Sequence, residues 1–345
     1  MKKLSYIFLI IGTLTTFIAC ETEDDQPDLG EFANGVFVTN EGQFNVGNAS
    51  VTHYRRSDGQ VSSDVYTAAN DVPLGDVAQS MTLVGDNGYV VVNNSGKVEV
   101  VKWRDLSHIG TISGLTSPRF LLALGNGRAY VTDFSSDYLA VVDLTTNAKI
   151  DSIMVGGWTE EMVLVNGSVY VAATGTGRIL KIDPNTNTML AEVTIGNEPT
   201  SMAVDANGKL WVVTNDTYPA DEPSRILRLD PIGLTVELTL TMPTNFDYPN
   251  DLAASKDGQK ILFINGQVYS LPITASALPS SPMIDLSPVF PYSIDVDPVT
   301  GNIFVGDGAD FQSNGTVKVY NAQGQLQGSF AAGVIPGGFC FTPQE

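Results

Sequence analysis

Asn126-Gly127-Arg128-Ala129-Tyr130-Val131-Thr132-Asp133 is a Gly-containing turn followed by an apolar strand that closes on a polar residue. The same phrase returns at Asn34-Gly35, Asn87-Gly88, Asn166-Gly167, Asn207-Gly208, Asp257-Gly258 and Thr300-Gly301, with steps between glycines of 53, 39, 40, 41, 50 and 43. Asn-Gly and Asp-Gly are favoured two-residue hairpin turns because both central residues take positive φ. The strand after each turn reads Phe37-Val38-Thr39-Asn40, Val90-Val91-Val92-Asn93, Tyr170-Val171-Ala172-Ala173, Trp211-Val212-Val213-Thr214-Asn215, Phe263-Ile264-Asn265 or Phe304-Val305-Gly306-Asp307. A third strand often ends on Asp, as in Leu139 to Asp143, Ile179 to Asp183 and Ile226 to Asp230, and a more polar fourth strand follows. Four strands in roughly 40 residues is the period of a propeller blade. Seven copies predict an all-β, seven-bladed β-propeller.

The chain ends indicate how the ring shuts. The first repeat starts at its second strand, Val36 to Asn40, with no apolar strand before its Asn-Gly. The missing piece stands at the other end as Pro336-Gly337-Gly338-Phe339-Cys340-Phe341, which matches strand openings such as Pro118-Arg119-Phe120-Leu121-Leu122. A C-terminal strand is therefore expected to complete blade one from the inside, leaving no open edge between first and last blades.

Composition narrows the partners. The 345 residues carry a net charge of -20, and -22 without the first twenty, which repels phosphate backbones and anionic lipid headgroups. Nucleic-acid binding is excluded on that ground. The chain is 43% apolar with 33 Gly and 18 Pro, too apolar for disorder and too turn-rich for helices. Two His (His53, His108) and two Cys (Cys20, Cys340) leave little for Cys/His zinc sites, Cys-His nucleophiles or a disulfide framework.

Residues 1–19 read as an export signal: Lys2 and Lys3, then an apolar stretch from Leu4 to Ile18 too short to span a bilayer comfortably. It ends Phe17-Ile18-Ala19-Cys20, which resembles a bacterial lipobox and implies lipidation of Cys20, with Phe17 in place of the usual Leu. Residues 20–31 form an acidic tether (Glu21, Glu23, Asp24, Asp25, Asp28), and 32–345 the propeller. An acidic cluster after the lipid-bearing Cys is similar to the signal for the outer leaflet of the outer membrane; a plain spacer is the alternative. Cys340 is then left without a partner and is expected to be buried.

The repeat resembles the YVTN/YncE-like seven-bladed propellers over about residues 32 to 343. Asn40-Glu41-Gly42-Gln43-Phe44, Pro73 to Met81 and Gly157-Trp158-Thr159-Glu160, with the leader, are similar to a group of outer-membrane surface-layer propeller lipoproteins. That group includes surface proteins that capture cobalamin and pass it to a TonB-dependent transporter. The resemblance implies a cobalamin or other corrinoid as bound ligand, not as catalytic cofactor, with that transporter as partner.

The longer insertions fall before first strands and after second strands, at 40–48, 67–77, 215–225, 241–251 and 306–315, which a propeller gathers on one face. Candidate ligand contacts there are Asn40, Glu41, Phe44, Asn93, Asn94, Arg119, Phe134, Trp158, Thr159, Glu160, Asn215, Tyr218, Tyr248, Asn250, Tyr292 and Phe311. Aromatic surfaces beside amides suit a large ligand with flat apolar parts and peripheral amides. Each aromatic has the alternative of packing blade on blade, each Asn that of forming a turn, and Arg119 with Glu160 that of locking blades. Asp295, Asp297, Asp307 and Asp310 lack calcium-loop spacing and read as turn and strand-end residues. No nucleophile elbow, P-loop or dinucleotide fingerprint is present. Three classes stay open: a monomeric surface-anchored ligand-capture propeller, a protein- or glycan-binding scaffold, and a lactonase- or lyase-type enzyme. Capture comes first, and neither a catalytic residue nor a metal site is assigned.

Overall fold

The computed structural model describes residues 30–215 and 222–343, so the leader, Cys20, most of the tether and Tyr218 lie outside the described residues. Among the described residues there are seven antiparallel sheets, six of four strands and one of three. In blades two to seven the chain meanders outward from an inner strand. Blade four, for example, runs Met162–Val165, Ser168–Ala173, Arg178–Asp183 and Thr188–Thr194. The inner strands touch in circular order from Pro336–Phe341 through Ala78–Val84 round to Pro291–Val296, which shuts the ring.

Burial follows position in the blade. Second strands such as Gly35–Asn40 and Leu210–Asn215 are buried along their whole length, because adjacent sheets cover both faces. That is why they read as unbroken apolar runs and not as alternating ones. Fourth strands are wet: Thr188–Thr194 has no buried residue. The core is divided into wedges between neighbouring blades, as where Tyr89, Val91 and Val98 of blade two meet Leu121, Val131 and Val142 of blade three.

Blade one is closed by the C-terminus. Pro336–Phe341 pairs antiparallel with Gly35–Asn40 in the register Val36↔Phe341, Phe37↔Cys340 and Val38↔Phe339, with a bulge near Asn40. The Gly35 amide donates to Thr342 Oγ1 at 2.7 Å. Cys340 is buried among apolar neighbours, and burial pushes its thiol up to about 12. Next to this seam Arg56 Nε donates to Asp297 at 2.7 Å, with side chains only 7% and 1% exposed, while Arg56 Nη1 reaches the Thr342 carbonyl at 3.0 Å. Asp297 thus joins blade seven to blade one.

Two local expectations are corrected. Only Asn166-Gly167, among the described turns of the repeat, has both residues at positive φ, 49° and 76°. At Asp257-Gly258 and Thr300-Gly301 the glycine alone is left-handed, near Asn126 both Gly125 and Gly127 are, and at Asn34-Gly35 it is Asn34, with Gly35 opening the strand. Gly208 sits at φ 72° in a turn whose Asp205 carboxylate accepts from the Asn207 and Lys209 amides. Asn87-Gly88 is not a turn at all: the left-handed residue is Gly85, and Asn87 already begins its strand. Blade six has three strands, ending at Val268–Pro272. Its third strand ends on Pro272, the continuation holds Pro279 and Pro282, which cannot donate to a ladder, and among the described residues Ile284 alone bridges back to Val268.

Candidate functional site

The seven inner strands are in one register. Met81, Leu121, Met162, Met202, Leu252, Ile294 and Phe339 each stand opposite the equivalent core residue of the second strand in their blade. The residues one and two places earlier then form two rings, each with one member per blade. The upper ring is Gln79, Arg119, Glu160, Thr200, Asn250, Tyr292 and Gly337. The lower ring is Ser80, Phe120, Glu161, Ser201, Asp251, Ser293 and Gly338. All of these residues line a single open cavity of about 1160 Å³ at the centre of the elaborated face.

Three members of the upper ring, Gln79, Arg119 and Glu160, form a hydrogen-bonded chain. Arg119 Nε donates to Glu160 at 2.9 Å, and its Nη1 donates to Gln79 Oε1. Trp158 Nε1 donates to Glu160 Oε1 at 2.6 Å, and Tyr292 donates its hydroxyl proton to Glu41 Oε1 at 3.0 Å. Burial raises the Glu41 carboxyl, although Arg119 and Tyr292 pull it back. Around this chain stand exposed aromatic faces: Phe246 at 83%, Phe290 at 59%, Tyr248 at 53% and Phe311 at 41%. Phe311 meets Tyr292 and Phe290 edge-on, with centroids 5.7 and 6.0 Å apart.

The lower ring brings two acids together through a serine. Ser201 Oγ lies 3.0 Å from Glu161 Oε2 and 3.2 Å from Asp251 Oδ1, and it accepts from the Leu252 amide at 3.0 Å. Both carboxylates thus converge on one hydroxyl, one on each side of Ser201. Burial raises both carboxyls, and the charge of Asp251 adds to the effect on Glu161. One turn of strand deeper, burial pushes Asp295 to about 7.

These acids set the pH response of the fold. A carboxyl with a raised folded pKa holds a proton that the unfolded chain gives up, so its stabilisation is full below the ordinary range and lost as pH rises. For Asp295 the window runs from about 4 to about 7. His53 works in the opposite sense: burial lowers it to about 4, so its contribution is lost as pH falls from about 6.5. Denaturant midpoints from about pH 4 to pH 8 should therefore respond to Asp295→Asn by losing part of the fall toward neutral pH. An unchanged profile in that variant would contradict the assignment.

Of the residues singled out in the sequence, Glu41, Arg119, Trp158, Glu160, Asn215, Tyr248, Asn250, Tyr292 and Phe311 line the cavity. Phe134 lies just behind, against Trp158 with centroids 4.6 Å apart. Asn40, Asn93, Asn94 and Thr159 serve the scaffold. Asn40 is fully buried, with its Nδ2 donating to Thr52 Oγ1 at 3.0 Å and its Oδ1 accepting from the Gly333 amide. Asn93 donates to the Pro118 carbonyl, Asn94 to Asp76, and buried Thr159 Oγ1 accepts from the Asp133 amide. Phe44 is exposed on the same face without lining the cavity. Cys20 and Tyr218 fall outside the described residues. Glu161, Ser201, Asp251, Phe246 and Phe290 were not singled out. The signal for the first three was the register itself: each immediately precedes the core residue of an inner strand.

Other chemistry lies elsewhere. His53 Nε2 contacts the Phe32 carbonyl at 3.1 Å, and His108 sits on the outer strand of blade two beside Glu99. Among the described residues, no three His, Cys, Asp or Glu side chains are grouped to hold a metal ion. Asp307 and Asp310 cap their own loop, accepting from the Ala309 and Ser313 amides.

Fold and cavity together define a seven-bladed propeller with a polar, aromatic-rimmed central mouth. The chain belongs to the family described as a domain of unknown function, DUF5074, whose sequence model matches residues 34–332. No curated protein matches it. Among solved structures it is similar to a quinonprotein alcohol dehydrogenase-like protein of Bacteroides thetaiotaomicron, with 15% identity, a TM-score of 0.68, and 90% of this chain and 78% of that chain covered. It is also similar to a candidate 6-phosphogluconolactonase of Bacteroides fragilis, with 14% identity, a TM-score of 0.67, and coverage of 91% and 99%. Hydrazine synthase of Kuenenia stuttgartiensis aligns at 15% identity with a TM-score of 0.60, covering 76% of this chain and 88% of that one. At these identities the likeness concerns the fold, which hosts unrelated activities.

Proposed function

We propose that this chain is a ligand-capturing propeller lipoprotein, anchored through Cys20 at the outer membrane and displayed on the cell surface. Its central mouth takes a large organic ligand with flat apolar parts and peripheral hydrogen-bonding groups. A corrinoid is the ligand to test first, with delivery to a TonB-dependent transporter as the accompanying role. The observation that carries the reading is the cavity itself. It measures about 1160 Å³, receives residues from every blade and is rimmed by exposed Phe246, Tyr248, Phe290 and Phe311. That volume exceeds the usual pocket for a drug-sized molecule, which reaches about 1,000 Å³. Aromatic faces that a monomer leaves in water are otherwise unfavourable, and their gathering round a concave polar floor suits recognition. Binding is favoured over catalysis because Arg119, Glu160, Glu161 and Asp251 are each already engaged by a neighbouring side chain or a backbone amide.

Hydrogen exchange tests this. With the chain lacking its first twenty residues, saturating cyanocobalamin should protect amides in 156–161, 244–251 and 289–292, the segments that rim the mouth. Protection confined to the turns of the opposite face, or no protection with any corrinoid, would overturn the reading.

A further inference from the structure

Hydrogen-bonding capacity round the mouth is nearly all taken up by the protein itself. In the upper ring, Glu160 accepts from Arg119 and Trp158, Tyr292 donates to Glu41, and Asn250 Nδ2 donates to the Tyr292 carbonyl at 2.8 Å. Gly337 brings no side chain, and the Thr200 hydroxyl oxygen is itself buried. Two neighbours differ. Arg119 donates through Nε to Glu160 and through Nη1 to Gln79 Oε1, which leaves Nη2 without a hydrogen-bond partner among the described residues. A guanidinium offers only donors, so it fixes the Gln79 amide with its oxygen toward Arg119 and its nitrogen turned away. Gln79 Nε2 likewise has no partner among the described residues, although Gln79 is only 8% exposed and lines the cavity. An unpaired donor in so enclosed a place is unfavourable until a guest supplies an acceptor.

Their place in the ring matters as much as their chemistry. Gln79 and Arg119 stand on the inner strands of blades two and three, Ala78–Val84 and Pro118–Ala123. The exposed rings come from the far side: Phe246 and Tyr248 between blades five and six, Phe290 between six and seven, and Phe311 within blade seven. In a ring of seven, blade six lies across the axis from the boundary between blades two and three. A flat body resting on those rings therefore turns its opposite edge toward the two donors. The charge of Arg119 is already balanced, since Glu160 holds it at 2.9 Å and the Glu41 carboxyl also acts on it. Glu161, Asp251 and Asp295 line the same cavity. An anionic edge would meet like charge there, whereas a neutral carbonyl accepts both hydrogen bonds without that repulsion.

We infer that Gln79 Nε2 and Arg119 Nη2 form a donor pair that reads an uncharged carbonyl on the edge of the captured ligand, selecting amides over carboxylates. This rests on the mouth being the capture site and adds the class of peripheral group that it selects. Gln79 is a contact residue, and Glu160 acts through Arg119 as a positioning residue.

Calorimetric titration at neutral pH tests the pair, using cyanocobalamin and its isomeric monocarboxylic acids, each with one propionamide hydrolysed. At least one isomer should bind about fivefold or more weakly than cyanocobalamin, and none more tightly. Gln79→Glu keeps an oxygen toward Arg119 and removes the amide donor. Cyanocobalamin should therefore weaken by a similar factor in that variant, at an unchanged melting temperature; a Gln79 that merely held Arg119 in place would leave the affinity as it was. The isomer comparison on the unaltered chain covers a variant that fails to fold. Equal or tighter binding of every isomer would overturn the pair, and so would full cyanocobalamin affinity in a folded Gln79→Glu protein. Either result, with saturable cyanocobalamin binding, leaves the capture reading standing. No cyanocobalamin binding by the unaltered chain would remove both.

Discussion

Removing residues 336–345 is expected to abolish cooperative unfolding of the ring. The deletion takes away the whole inner strand of blade one, Pro336–Phe341, which pairs with Gly35–Asn40. Cys340 leaves the core, and Phe339 and Phe341 leave Phe304, whose ring lies 5.8 and 5.5 Å from theirs. Each such apolar side chain contributes on the order of 1.5–3 kcal/mol when fully buried, against a net stability of about 5–15 kcal/mol for a domain. The loss is larger than these side chains alone, because Gly35–Asn40 then becomes an open, apolar strand edge. Thr342 also goes, and with it the carbonyl that holds Arg56 beside buried Asp297. Thermal and urea unfolding followed by circular dichroism should show a broad, early transition or none. A truncated chain that melts at the temperature of the full one would mean that the ring does not depend on this seam.

The fold was legible because its signal repeats. One Gly-containing turn proves nothing, but seven at steps near 40 residues, each followed by an apolar strand buried on both faces, leave few architectures. The closing strand was legible for the same reason: Phe339-Cys340-Phe341 lacks a blade at its own end of the chain, and Val36-Phe37-Val38 lacks an inner strand. Turn chemistry was read too simply. Asn87-Gly88 has the composition of a hairpin turn, yet Gly85 takes the left-handed position two residues earlier and shifts the strand start. Blade six shows the opposite error, where a fourth strand was expected and the segment after Pro272, with Pro279 and Pro282, forms none among the described residues.

The site was only half legible. Trp158, Tyr248 and Phe311 stood out because a large aromatic in a loop has no strand to cover it. Asn40, Asn93 and Asn94 looked the same in sequence, but their amides are consumed by neighbouring blades and loops. The acids of the floor hid in plain strands. Glu161 and Asp251 lie 90 residues apart in the chain, and what joins them is Ser201 on the blade between. No local pattern announces such a contact; it follows from laying the inner strands in register and reading across the ring.

The most direct test of the mouth as a binding site is titration of the chain lacking residues 1 to 20, unaltered and as Trp158→Ala, with cyanocobalamin. Trp158 is suited to anchor a ligand. It lines the cavity, its indole N–H is fixed on Glu160 at 2.6 Å, and its ring is backed by Phe134. A rigid aromatic held this way is the kind of residue that dominates an interface, with losses of about 2 kcal/mol or more on truncation. That corresponds to more than about tenfold in affinity. The fold should tolerate the change, since Glu160 keeps Arg119 and the indole belongs to a loop. The expected result is saturable binding by the unaltered chain, weakened more than about tenfold in the variant with the melting temperature unchanged. Saturable binding of equal strength in both proteins would place the ligand away from the mouth and contradict the account.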